Sequence, residues 1–350
     1  MIKKTIENIS EPNQAAIALA KKRSQELLTP LRALGELLTI AEKVAGITGT
    51  LNADLSRKAI AVMAGDHGVT AEGVSAYPSD ITGLMVQSFV KGMAAINSLA
   101  KSGNIDVKVI DMGCKADFSA LAATGAIIDK KVKSGTDNFA QGPAMSQKEA
   151  QRSVENGISI AQLLIDQGYT FIGTGDMGIG NTTPSTAIAA TVSGKPVREI
   201  TGKGAGLDDA GLQKKIAIIE KALLLNKPDP AQGMELLAKM GGFEIGGIAG
   251  VVLGCAAHKI PVVIDGVIST AGACIAYLLC PRVKEYMFVA HESEEKAQRA
   301  MLEFMGLQSM LNFHMRLGEG SGCALAMPII EAAIKVHGTM ATFADAGIAQ

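Results

Sequence analysis

Two short segments hold the residue types that could do chemistry. In MRLGEGSGCALAMP, Glu319 stands between Gly318 and Gly320, directly ahead of an apolar helical run. Gly318, Gly320 and Gly322 let the backbone bend so that a small ligand can reach the carboxylate. Partial desolvation would raise such a carboxyl toward neutrality, which suits a general base. The same acid at a helix entrance, with Ser321 as N-cap, is also the pattern of simple dipole complementation. The second segment, FIGTGDMGIGNTTPS, contains a literal G-x-G-x-x-G at Gly173, Gly175 and Gly178.

A dinucleotide loop of that spacing must follow a strand, open a helix and be answered by an acid about 20 residues on for the ribose. Here Asn181, Thr182, Thr183 and Pro184 predict a helix that begins near 183, later than such a loop allows. Glu199 lies at a suitable distance, but no strand leads to it. What remains is a glycine loop feeding a helix N-terminus, where free N–H groups and the helix dipole can cradle one phosphate. A second anion feature follows in ITGKGAGLDDAGLQKK, with Lys203 in a glycine loop and Lys214 and Lys215 on the next helix. These lysines could be ligands or merely solubilising. Together the two features point to a mononucleotide or sugar phosphate.

The elements that must position these residues alternate. Short apolar runs at 58–68, 105–113, 169–178, 259–267 and 285–293 read as strands, and 91–101, 147–167, 208–225 and 246–258 read as helices. Alternation of this kind, with strands apolar on both faces, predicts an α/β fold whose parallel sheet is covered by helices on both sides. Four of the five strand runs end in Asp beside glycine: Asp66, Asp111, Asp176, and Asp265 with Gly266. Ligands bind beyond the carboxyl ends of such strands, so these acids are candidates to accept hydrogen bonds from ligand hydroxyls. Asp and Gly also form turns for reasons of their own. The first fifty residues and the stretch after 294 read as helical. The expected division is therefore a small helical domain from 1–27 together with 294–350, and a large α/β domain, 28–293, carrying the nucleotide site.

Composition excludes several classes. A net charge of −1 gives no reason to expect nucleic acid, and no apolar run reaches the ~20 residues of a membrane span. The five cysteines form no C-x-x-C and sit among apolar residues, so free thiols in a reducing cytoplasm are expected and a metal site is not. No apolar stretch follows the two early lysines, which agrees with a cytoplasmic protein.

The segments AGDHGVTAEGVSAYPSDITGLMV, GTGDMGIGNTTPS, TGKGAGLDDAGLQKK, GGFEIGGIAGVVLG, PVVIDGV and MRLGEGSGCALAMP occur in one order. With them the chain, from about residue 25 onward, resembles the nicotinate-nucleotide–dimethylbenzimidazole phosphoribosyltransferase family. The resemblance implies a Rossmann-like fold and transfer of phosphoribose from nicotinate mononucleotide to an aromatic base, with no cofactor. It implies Glu319 as acceptor of the base's proton. It implies a phosphate and nucleotide site from Gly175, Asp176, Gly178, Gly180, Asn181, Thr182, Gly204, Lys215, Asp265 and Gly266. A base pocket would be walled by Ser75, Tyr77, Leu84, Met85 and Leu317. A homodimer is implied, with a heterodimer of paralogues as the alternative. Three positions depart from the family pattern: Asp176 for Glu, Leu84 for Gln and Ala205 for Thr. Acceptors other than dimethylbenzimidazole, namely adenine or a phenol, and a non-catalytic partner subunit therefore stay open.

Overall fold

The described residues, 1–348 of a computed structural model, place seven parallel strands in one sheet. They are β1 (Lys58–Gly65), β2 (Ile105–Gly113), β3 (Ile128–Asp129), β4 (Phe171–Met177), β5 (Val262–Ile264), β6 (Met287–Ser293) and β7 (Ser309–Met315). Their order across the sheet is β3-β2-β1-β4-β5-β6-β7. The chain thus starts in the middle, builds outward through β3, then returns to the other side of β1. That reversal puts a crevice at the carboxyl ends of β1 and β4, where both segments singled out above arrive.

Every residue of β1 is buried, as a strand covered on both faces requires. Alternate side chains serve opposite layers. Ile60 lies against Gly320 at the entrance of helix Ser321–Thr339, while the Met63 sulfur lies against Gly247 in helix Phe243–Ala257. The second layer is tight. A Cβ on Gly157 would come within 2.0 Å of the Gly247 carbonyl oxygen, so helices Gln147–Asp166 and Phe243–Ala257 touch backbone to backbone.

The five expected strands and the helices between them are present, with boundaries within a few residues. The stretch after 294, expected to be helical, does form two helices, but a strand lies between them. Residues 309–315 form β7, paired with β6, between helices Ala297–Met305 and Ser321–Thr339. β7 is an edge strand with exposed and half-buried side chains, so it lacks the apolar run that marks its buried neighbours. The two chain ends do meet. Arg23 donates to the carbonyls of His337, Gly338 and Met340, and Leu27 bridges to Thr342. Helix Glu36–Thr48 packs on both Gln14–Glu26 and Ser321–Thr339, and the latter helix also packs on β1, β4, β5 and β6. The helices of the two chain ends therefore pack together and on the sheet, to which β7 belongs. No helix among the described residues is long and apolar enough to cross a membrane.

Candidate active site

A cleft opens at the switch point. One end is the glycine loop: Asp176, Gly178, Gly180, Asn181 and Thr182 line it, and helix Thr182–Ser193 begins there, one residue from the predicted start. Gly180 has φ +84°, a backbone shape that a side chain would strain, and a Cβ there would meet Thr70 at 2.8 Å. Asn181 holds the N-cap position but does not cap with its side chain. It donates instead to Asp176 Oδ2 at 3.0 Å; in the first turn Thr183 N–H bonds the Gly180 carbonyl and Pro184 has no N–H, so the Thr182 N–H is the one left to meet an anion.

Lys215 reaches this helix entrance from below. Its side chain is fully buried, and Nζ donates to Thr182 Oγ1 at 2.7 Å and to the Gly202 carbonyl at 3.3 Å. Burial lowers its pKa to about 8, with Glu295 acting against the shift. Glu295 accepts from the Gly204 N–H at 2.8 Å, and Arg316 donates to the Gly204 carbonyl at 3.0 Å. The loop carrying Gly204 is thus fastened to the elements after β6 and β7. Of the other candidate lysines, Lys203 pairs with Asp209 in solvent at 2.7 Å.

Glu319 does not itself line the cleft, but its neighbours Leu317 and Gly318 do. It is only 6% exposed, and its Oε2 has no hydrogen-bond partner among the described residues. Burial raises its pKa, the charge of Asp265 adds to the rise, and the Ile96 N–H opposes it. The N-cap of the following helix is Gly320, with φ +89°, rather than the expected Ser321.

The four strand-end acids separate into two kinds. Asp66 accepts from Ser79 Oγ and the Lys115 N–H, and Asp111 accepts from the Gly113 and Cys114 N–H groups and pairs with Lys131. Asp265 likewise accepts backbone N–H bonds, from Gly320, Gly322 and Cys323, so it binds the chain rather than the cleft, which Gly266 lines in its place. Of the residues expected at the nucleotide site, Asp265 is thus one whose carboxylate the structure places on backbone N–H groups. Asp176 alone of the four lines the cleft. Burial foremost, then the charges of Asp265 and Glu244, push its carboxyl well above the usual range.

Gly175 does not line the cleft either. A Cβ on it would lie 2.7 Å from the Glu319 carbonyl oxygen, so its part is to make room for the Glu319 turn. Of the expected base wall, Ser75 and Leu317 line the cleft. Tyr77 and Leu84 do not: they are 52% and 57% exposed, and Met85 is half-buried against the core. On helix Ile81–Val90 the inward face is Thr82, Gly83, Val86 and Phe89, which turns Leu84 outward.

The sequence reading overlooked His291, Ser293, Glu295 and Arg316, which also line the cleft. β6 ends in His-Glu-Ser rather than Asp-Gly, yet it ends at the same edge of the sheet, and that position was the available signal. It also overlooked the fully buried pair His67 and Glu244, with Nε2 and Oε1 2.7 Å apart. His67 lies under the loop, 3.2 Å from where a Cβ on Gly178 would stand. Glu244→Ala would strand a buried imidazole N–H. A loss of roughly 1–3 kcal/mol is expected, measurable as a lower urea midpoint at unchanged m.

A family model described as phosphoribosyltransferase matches residues 9–348. A protein of Geobacter metallireducens, named nicotinate-nucleotide–dimethylbenzimidazole phosphoribosyltransferase, is 50% identical over 348 residues, covering 99% of this chain and 98% of its own. One of the same name from Desulforudis audaxviator is 47% identical over 350 residues, covering 100% and 98%. The crystal structure of CobT from Thermus thermophilus matches with a TM-score of 0.91 at 39% identity, covering 96% of this chain and 99% of that one.

Proposed function

The chain belongs to the phosphoribosyltransferase family, and from that premise we propose that it moves the 5-phosphoribosyl group of nicotinate mononucleotide to a lower-ligand base. The default acceptor is 5,6-dimethylbenzimidazole, and the products are the α-ribotide and nicotinate, for assembly of the cobamide nucleotide loop. The names of the full-length relatives support this reading. The observation that carries it is one of arrangement. A buried carboxylate with a free oxygen, Glu319, adjoins one wall of a cleft whose other end is a helix N-terminus backed by a buried lysine.

In the mononucleotide, nicotinate is a pyridinium, so it departs as a neutral ring carrying the bonding electrons from C1′. The reaction needs no general acid for that departure. The base nitrogen attacks C1′ from the opposite face, which inverts the centre and leaves the incoming ring with one proton too many. Glu319 takes that proton and passes it to solvent. The loop Gly178–Thr182 and Lys215 hold the 5′-phosphate, whose charge suits the helix dipole and the ammonium. Ser75 and Leu317 border the base. A homodimer belongs to the same proposal, supported by the exposed apolar side chains of Tyr77, Leu84 and Phe313, which a second copy would cover.

Product analysis by chromatography and mass spectrometry tests the reading. The protein is incubated with nicotinate mononucleotide and, separately, dimethylbenzimidazole, adenine and p-cresol. The expected result is nicotinate released in equal amount with an α-ribotide, dimethylbenzimidazole being the best acceptor. Binding of the mononucleotide with no product from any acceptor would overturn the catalytic reading in favour of a partner subunit.

A further inference from the structure

We infer that Asp265 is a positioning residue for this reaction: its carboxylate fixes the left-handed turn Gly318–Gly320 in the shape that presents Glu319 to the attacking base. The inference rests on the transfer proposed above. Three consecutive residues, Gly318, Glu319 and Gly320, have φ of +81°, +64° and +89°. A glutamate in that region is strained, and such strain persists only where the surroundings over-determine it.

The surroundings do so from two sides. From the sheet, a Cβ on Gly320 would stand 2.5 Å from Ile60, and one on Gly175 would stand 2.7 Å from the Glu319 carbonyl oxygen. From β5, Asp265 Oδ2 accepts the Gly320 N–H at 2.9 Å, and Oδ1 accepts that of Gly322 at 2.7 Å. The Gly320 N–H belongs to the peptide group that follows Glu319, so this bond sets the plane on which the glutamate hangs. His291 closes the remaining side. Its Nε2 is 3.8 Å from Asp265 Oδ1, and a Cβ on Gly322 would run into its ring at 2.1 Å.

A remote acid could also serve only to complement the helix Ser321–Thr339. That role would require the bonds to Gly322 and Cys323 but not the one to Gly320, and it would affect stability without acting through Glu319.

The test compares four enzymes: wild type, Asp265→Asn, Glu319→Gln and the double variant, each folded by circular dichroism. Nicotinate release is measured with dimethylbenzimidazole as acceptor, and mononucleotide binding is measured by calorimetry. Asp265→Asn is expected to lower kcat by roughly 10–10²-fold with mononucleotide affinity within about twofold, and the double variant is expected to be no slower than Glu319→Gln alone. Losses that multiply in the double variant would overturn the inference. So would a loss of mononucleotide affinity at unchanged kcat, which would make Asp265 a ligand. Should Asp265→Asn not fold, Gly318→Ala strains the same turn while leaving Asp265 in place, and its loss is expected to be absorbed by Glu319→Gln in the same way. Failure of the proposed transfer itself appears differently, as no nicotinate release from wild type, and it overturns both.

Discussion

Replacing Glu319 with Gln is expected to lower kcat by roughly 10²–10⁴-fold, the usual worth of a positioned general base, with nicotinate mononucleotide bound as tightly as before. The amide keeps the size and the hydrogen-bond acceptor but cannot take a proton. The expectation rests on separation: Glu319 adjoins the wall formed by Leu317 and Gly318, and the phosphate cradle at Gly178–Thr182 is built from other elements. A pH profile adds a second reading. Burial, with a smaller contribution from Asp265, raises the Glu319 pKa, and a base works only when ionised. The wild-type kcat should therefore fall as pH drops through that raised value, at a pH higher than an ordinary exposed glutamate would give. Glu319→Gln should show no such acidic limb. A variant with kcat near wild type would assign the proton transfer elsewhere, most directly to solvent.

The architecture that supports this site could be read in the sequence wherever burial left a periodic mark. β1, β2, β4 and β6 are long and apolar, and the helices between them are bounded by the caps and glycines that predict them. β3 has only two residues and β7 is exposed, so neither offered the apolar run on which a strand reading depends. For the site, the glycine loop was legible because its meaning is local: spacing, a strand before, a helix after. The partners of Asp265 were hidden for the opposite reason. Nothing around PVVIDGV tells that its carboxylate meets N–H groups some 55 residues later, at Gly320 and Gly322. His67 and Glu244, 177 residues apart, are hidden in the same way. Leu84 was recoverable. Thr82, Val86 and Phe89 make an inward stripe at helical spacing, and Leu84 falls outside it.

The second large effect concerns Lys215 and runs in opposite directions for binding and for stability. Burial lowers its pKa from 10.5 to about 8, so below pH about 8 the ammonium is charged and ready to meet a phosphate at Thr182. Above that pH the free enzyme holds a neutral amine, while the phosphate, whose second pKa is about 6, stays dianionic. Mononucleotide affinity should therefore weaken as pH rises through about 8. Hydrogen bonds to a charged group are worth about 1.5–3 kcal/mol, so Lys215→Ala should weaken binding by roughly 10–10²-fold below that pH and should lose the alkaline fall. Lys215→Arg stays charged and should show no alkaline fall either, at an affinity set by how its longer fork fits. For stability the sign reverses. Between about 8 and 10.5 the unfolded chain holds the proton that the folded one has released, so the stability of the ligand-free protein rises with pH across that window. Lys43, also lowered to about 8 by burial, contributes the same sign to stability, but its Nζ bonds the Met287 carbonyl rather than Thr182. Calorimetric titration on either side of pH about 8 therefore isolates Lys215 where thermal melts cannot. An alkaline fall that survives unchanged in Lys215→Ala would remove this lysine from the phosphate site.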